Sequence, residues 1–210
     1  LGRAPRHADD RGEEIMKLLW LDLETTGLDP HKNYILEVAC CMADLEEPTR
    51  TTDLFVAQLG LPCRVDELDP FIQKMHGESG LIADCLESMW NIHKLEQGII
   101  NRFPDLEKSW DREDKPTLAG NSVHFDLGFL RVHMPTLAAC LHYRVFDVSA
   151  QILFCRSLGM ERLPRALAHR ADMDIKESIE LYEKCVEFVD GTAITAGEIA
   201  AKAAFEGRMK

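Results

Sequence analysis

Residues 18–30 read LLWLDLETTGLDP, an apolar run that carries two carboxylates and ends in a glycine turn. On a strand, residues two apart point to the same side, so Asp22 and Glu24 project together. Their neighbours Leu19, Trp20, Leu21 and Leu23 belong in a core. A charged carboxylate in apolar surroundings is costly unless something compensates it. Either the strand ends at a wet rim with a solvent-facing pair, or a cation is expected there. Gly27, three residues beyond Glu24, lets the chain turn sharply beside them.

The rest of the chain sets the frame for that strand. The stretches 17–23, 34–44 and 51–58 read as three strands of an antiparallel meander, with GLDPHKN as the first turn. Pro70 opens a short helix through Met75 that closes in the Gly77 and Gly80 region. Residues 81–103 carry helical spacing, in two helices. TLAGNS (117–122) reads as a short buried strand feeding a helix over roughly 124–133, and YRVFDVS (143–149) as a strand followed by a helix to about Leu158. From Asp172 to about Val189, Ile175, Ile179, Tyr182, Val186 and Val189 line one helix face, and the Ala-rich tail from Ala193 reads as a further helix. A meander followed by strand–helix units predicts an α/β fold with a mixed sheet flanked by helices.

At 210 residues the chain suits one domain, placed at 16–192, with 193–210 as a helical tail. LGRAPRHADDRGEEI (1–15) lacks an apolar signal core, and its acids speak against a transit peptide. It reads as a disordered leader, with Met16 a natural start. No apolar run reaches membrane-spanning length. The net charge of −12 argues against tight binding to long nucleic acid, which relies on many Lys and Arg contacts to phosphates. It is compatible with a small anionic substrate held by metal and a few local cations. The seven cysteines are odd in number, scattered and contain no CxxC pair, so neither a zinc site nor a disulfide scaffold is indicated and a reducing compartment is expected.

Two further pieces repeat the acidic theme. In GNSVHFD (120–126), Asp126 falls in the first turns of a helix after a buried strand, at the strand's carboxyl end, where sites form in open α/β sheets. The same placement suits an acid that merely favours the positive end of its helix. In AHRADMDIKES (168–178), Asp174 sits on the helix and His169 on the segment leading into it. Asp172 is also a plausible N-cap.

Together, four acids and one histidine in this order resemble the DEDDh exonucleases, and within them the oligoribonuclease family, which degrades very short RNA. The resemblance runs through WLDLETTGLD, MHGESGL, LAGNSVHFD, LHYRVFDVS and HRADMDIKESI, over roughly residues 17–190. It implies an RNase H-like fold and 3′-to-5′ hydrolysis of oligoribonucleotides, especially dinucleotides, to 5′-mononucleotides. It implies Asp22, Glu24, Asp126 and Asp174 as ligands of two divalent cations, Mg²⁺ or Mn²⁺, and His169 as general base. Clustered carboxylates repel and hold protons unless cations neutralise them, and an imidazole titrates in the range where a water proton must be taken near neutral pH.

Other positions follow from the same likeness. Leu28 corresponds to a wedge between the terminal bases, and His76 to a histidine near them. Phe71 stands where the family usually has Trp, so stacking would use a smaller ring. Ser122, Arg144 and Ser149 correspond to donors capping a 5′ phosphate, and Tyr143 with Arg144 to residues delivered across a homodimer. The implied partners are single-stranded RNA of two to five nucleotides and a second copy of the chain, with no membrane and no long duplex. The implied site of action is intracellular, in the cytoplasm or, as elsewhere in the family, the mitochondrion. Thr25, where this family more often has Met, supports the rival reading of a DNA exonuclease. A catalytically silent nucleotide-binding scaffold is a third reading, opposed by the full set of five catalytic residue types.

Overall fold

The computed structural model describes residues 16–107, 115–164 and 169–207. The expected leader, 1–15, lies outside them. Six strands form one mixed sheet: β1 (Lys17–Thr25), β2 (Ile35–Asp44), β3 (Glu47–Thr51), β4 (Phe55–Gln58), β5 (Thr117–Gly120) and β6 (Val145–Asp147). Their order is β3-β2-β1-β5-β6, with β4 also paired to β2. β1, β2 and β3/β4 run antiparallel, whereas β1–β5 and β5–β6 are parallel.

The helices are α1 (Pro70–Glu78), α2 (Leu81–Glu87), α3 (Ile92–Arg102), α4 (His124–His133), α5 (Pro135–Cys140), α6 (Val148–Ser157) and α7 (Ala171–Gly207). Strand alternation divides them between the two sheet faces. Leu19, Leu21 and Leu23 of β1 join a core with residues of α3, α4 and α5. Leu18 and Trp20 point the other way, packing with Val148 of α6 and with Ala171, Ile175 and Leu181 of α7. Asp22 and Glu24 continue this second series, so they leave the strand on the side of α7. The same alternation that fills the core thus delivers two carboxylates to its edge.

Three details depart from the sequence reading. The stretch 51–58 is two short strands. Thr52 interrupts them: its amide donates to the Met42 carbonyl (2.8 Å), and its hydroxyl accepts from the Met42 amide (3.0 Å), taking over one rung of the ladder. α1 continues through Gly77, and the turn falls at Gly80, at φ 78°. α7 runs from Ala171 to Gly207 without a break, so the Ala-rich stretch extends the amphipathic helix instead of starting another.

Candidate active site

Asp22 and Glu24 occupy the carboxyl end of β1, and Asp174 the first turn of α7. Each offers a carboxylate oxygen, and these atoms lie within 4.8 Å of one another. Two neighbouring strand positions and a helix start some 150 residues later thus converge on one spot. Three hard oxygen donors at this spacing suit a divalent cation such as Mg²⁺.

Asp126, the fourth expected acid, stands beside this trio and outside it. It is buried at the start of α4, and its Oδ1 accepts a hydrogen bond from the Leu23 amide (3.1 Å). β5 pairs with β1 only as far as Trp20, so Leu23 lies beyond the ladder, and the carboxylate of α4 supplies the missing acceptor. Among the charges acting on Asp22, that of Asp126 is the strongest.

The electrostatics carry one sign. Burial, followed by the charges of Asp126, Asp174, Glu24 and Glu37, pushes the Asp22 carboxyl well above the ordinary carboxylate range. Burial raises Glu24 to about 8, aided by Asp174, and Asp126 also to about 8. Asp174 is raised by burial as well, although its hydrogen bond with Glu24 and the nearby His169 pull it down. Among the described residues, no Lys or Arg pairs with any of the four. The donor chemistry and the lack of compensation fit a bound divalent cation.

His169 is half-buried and close enough to act electrostatically on both Asp174 and His76. Its backbone takes the left-handed conformation, φ 51°, uncommon for a residue with a Cβ and frequent at functional sites. His76 is fully buried. Its Nε2 donates to the Thr25 carbonyl (3.1 Å) and lies 3.8 Å from Glu24 Oε2. Burial depresses its pKa, and its Nδ1 has no hydrogen-bond partner. It therefore braces the end of β1 from beneath and presents no surface to a base.

The remaining expected residues surround this centre. Leu28 is 82% exposed on the turn after Gly27, and Phe71 is 68% exposed in the first turn of α1. Asn33 bridges the turn with bonds to Asp29 and Thr26, and a Cβ on Gly27 would come within 2.8 Å of the Asn33 side chain, so a larger residue there would displace that bridge. His133 of α4 braces the same turn through the Pro30 carbonyl (2.8 Å). Ser122 and Ser149 line one cavity of about 390 Å³, together with Arg156 and Arg162. Tyr143 and Arg144 are exposed on the segment before β6, the guanidinium 4.8 Å from the Tyr143 ring centre.

Two groups escaped the sequence reading. Asp147 Oδ1 accepts from the amides of Ser122 (3.0 Å) and Ser149 (2.9 Å) and from the Ser149 hydroxyl, gathering both serines on one carboxylate oxygen. Its place in YRVFDVS, two before Ser149, is the pattern of an N-cap and was the available signal. Glu37, fully buried and opposite Glu24 in the β1–β2 ladder, pairs with Arg170 at 2.9 Å. No local pattern marks that pair.

A family model described as Exonuclease matches residues 19–182. Among curated relatives, the oligoribonuclease of Corynebacterium diphtheriae is 34% identical, over 89% of this chain and 91% of its own. That of Arabidopsis thaliana is 37% identical, over 80% of this chain and 76% of its own. The mitochondrial oligoribonuclease of Mus musculus is 35% identical, over 80% and 72% respectively. Among solved structures, the zinc-bound E. coli ExoI–ssDNA complex superposes with a TM-score of 0.59 at 16% identity. It covers 80% of this chain and 40% of that one, a likeness of fold. The fold is thus the RNase H-like architecture of the DEDDh exonucleases. The chain belongs to the exonuclease family and, within it, to the oligoribonucleases.

Proposed function

We propose that the chain removes nucleotides from the 3′ end of short oligoribonucleotides, of two to five residues and dinucleotides above all, releasing 5′-mononucleotides. The observation that supports this most is the convergence of Asp22, Glu24 and Asp174 within 4.8 Å, with no Lys or Arg paired to them among the described residues. These three, with Asp126, hold two divalent cations, Mg²⁺ or Mn²⁺. When bound, the cations supply the positive charge that neutralises the phosphodiester and acidifies a water.

The chain's own groups do the rest. His169, on its bent segment beside Asp174, accepts the proton of the attacking water. Asp126, tied to the Leu23 amide, keeps α4 against the end of β1, so that acids from strand and helix face one another. Leu28 and Phe71 present exposed apolar surface to the bases, each from a braced element. Ser122 and Ser149 cap the 5′ phosphate, and Tyr143 and Arg144 are delivered to that cap by the partner subunit of a homodimer.

No helix among the described residues is long and apolar enough to cross a membrane. All seven cysteines are free, and five are buried, in keeping with a reducing compartment. We place the protein in the cytoplasm, with the mitochondrion as the second compartment, which the names of the mouse and human relatives specify for those proteins. The test is incubation with labelled oligomers of RNA and DNA, from two to ten nucleotides, in Mg²⁺, Mn²⁺ or EDTA. Metal-dependent release of 5′-mononucleotides from short RNA is expected. Preferred cutting of DNA would favour the DNA-exonuclease reading, and no cutting at all the silent scaffold.

A further inference from the structure

Glu37, beside the acidic centre, has both carboxylate oxygens engaged by protein donors. Its Oε1 accepts from Gln58 Nε2 (2.7 Å) and Arg170 Nη2 (2.9 Å). Its Oε2 accepts from the Ala171 amide (2.8 Å), and Arg170 Nε bridges to both oxygens (3.2 and 3.3 Å). With both oxygens engaged, Glu37 has no lone pair to offer a metal, although it lies opposite Glu24 in the ladder. The rest of the Arg170 guanidinium reaches the Ser79 carbonyl (3.3 Å) and Asp84 (2.8 Å). One side chain therefore joins β2, the α1–α2 junction and the start of α7.

What this junction holds is the backbone next door. Arg170 directly follows His169, which sits at φ 51°, and directly precedes α7, whose first amide is bound by Glu37. The Arg170 carbonyl also accepts from the Asp174 amide (3.0 Å). A left-handed non-glycine residue persists only where its surroundings over-determine it. Arg170 and Ala171, the two residues that follow, are fixed to a buried carboxylate on β2, which restrains the backbone on the helix side of His169. A bidentate guanidinium–carboxylate pair also fixes orientation as well as distance.

We infer that Glu37 and Arg170 are positioning residues: their buried pair locks the turn that presents His169 to the acidic centre. The inference rests on His169 acting as general base in the hydrolysis proposed above. The pair stands outside the metal-competent trio of Asp22, Glu24 and Asp174. It sets how often the imidazole is in place, so its loss lowers kcat and leaves substrate binding nearly unchanged.

The test is steady-state kinetics on a 5′-phosphorylated diribonucleotide with saturating Mg²⁺, well below the melting midpoint of each variant. Arg170→Met is expected to lower kcat about 10- to 100-fold with KM changed less than about threefold, the size seen when a supporting partner is removed from a catalytic ligand. Arg170→Lys, which keeps one donor for Glu37 and loses the fork, should recover part of that loss. Combining Arg170→Met with His169→Ala should cost no more than His169→Ala alone, because both act on the same proton transfer. Additive losses, or a fall in melting midpoint with kcat unchanged, would overturn the inference and leave the pair as structural support. If Arg170→Met does not fold, Glu37→Gln and Arg170→Lys carry the test, and wild-type kcat in both would overturn it. Arg50→Met, which removes an exposed ion pair with Glu47 far along β3, is the control expected to leave the kinetics unchanged. Absence of wild-type hydrolysis in Mg²⁺ would be a failure of the functional reading itself, and the wild-type control detects it separately.

Discussion

Asp22 feels the charge of four other carboxylates, Asp126, Asp174, Glu24 and Glu37, so removing its charge has two opposite consequences. Asp22→Asn and Asp174→Asn should each abolish hydrolysis at saturating Mg²⁺, because a ligand charge is lost. Each should also raise the melting midpoint of the metal-free protein near pH 8, because repulsion is relieved. The pH dependence has a defined sign. Glu24 and Asp126 rise to about 8 in the folded chain, against roughly 4 for ordinary carboxylates, so folding favours their protonated forms. The stability this contributes is fully present below about pH 4 and is lost as pH rises through about 8. Metal-free protein should therefore melt at a lower temperature near pH 8 than near pH 6. Mg²⁺, which binds the deprotonated set, should restore more at the higher pH. A midpoint that rises with pH in EDTA would contradict the uncompensated cluster. His169→Ala should keep Mg²⁺ binding, measured by calorimetry, and lose turnover by roughly 10²- to 10⁴-fold.

The end of β1 depends on close backbone approach. A Cβ on Gly120 would come within 2.9 Å of both the Leu21 carbonyl oxygen and Val123 Cγ1. Because one of these is backbone of the strand that carries Asp22, the clash has no cheap relief. Gly120→Ala should destabilise the fold by about 1–3 kcal/mol, the usual cost of overpacking, and should also slow hydrolysis. Denaturant unfolding measures the first effect, and an unchanged midpoint would show that β5 can move away. What the sequence disclosed follows the same division between local and distant causes. α4 runs from His124 to His133, close to the expected span, because its helical period is written in adjacent residues. The carboxylates of β1 were legible for the same reason, as strand alternation puts Asp22 and Glu24 on one side. The break between β3 and β4 was not, since it comes from the Thr52 hydroxyl meeting Met42 across the sheet. α5, six residues long, is too short to show a period, although Pro135 marks its first turn. Glu37 read as part of an apolar strand because its partner Arg170 is 133 residues away. His76 gave no sign in sequence that its ring would turn inward to Thr25.

For the whole molecule, net charge bears on substrate length. A net charge of −12 is poorly suited to following a long strand through many Lys and Arg contacts to phosphates. In the proposed reading, recognition falls to local contacts at the two ends of a short substrate, the bases at Leu28 and Phe71 and the 5′ phosphate at the serine cavity. A 5′-phosphorylated diribonucleotide should be cut faster than a heptamer of the same composition. Arg144→Ala should flatten that preference through loss of a charge-assisted contact worth about 1.5–3 kcal/mol. In the proposed homodimer Arg144 acts on the partner's site, so mixing Arg144→Ala with Asp22→Asn should yield heterodimers with one repaired site. No gain in rate on mixing would refute delivery from the partner. The most direct test of the acidic centre as a metal-dependent nuclease site is the initial rate on a 5′-phosphorylated diribonucleotide, for wild type and Asp174→Asn, in Mg²⁺ and in EDTA. The expected result is release of mononucleotides by the wild type in Mg²⁺ alone. Undiminished turnover in EDTA, or by Asp174→Asn in Mg²⁺, would contradict it.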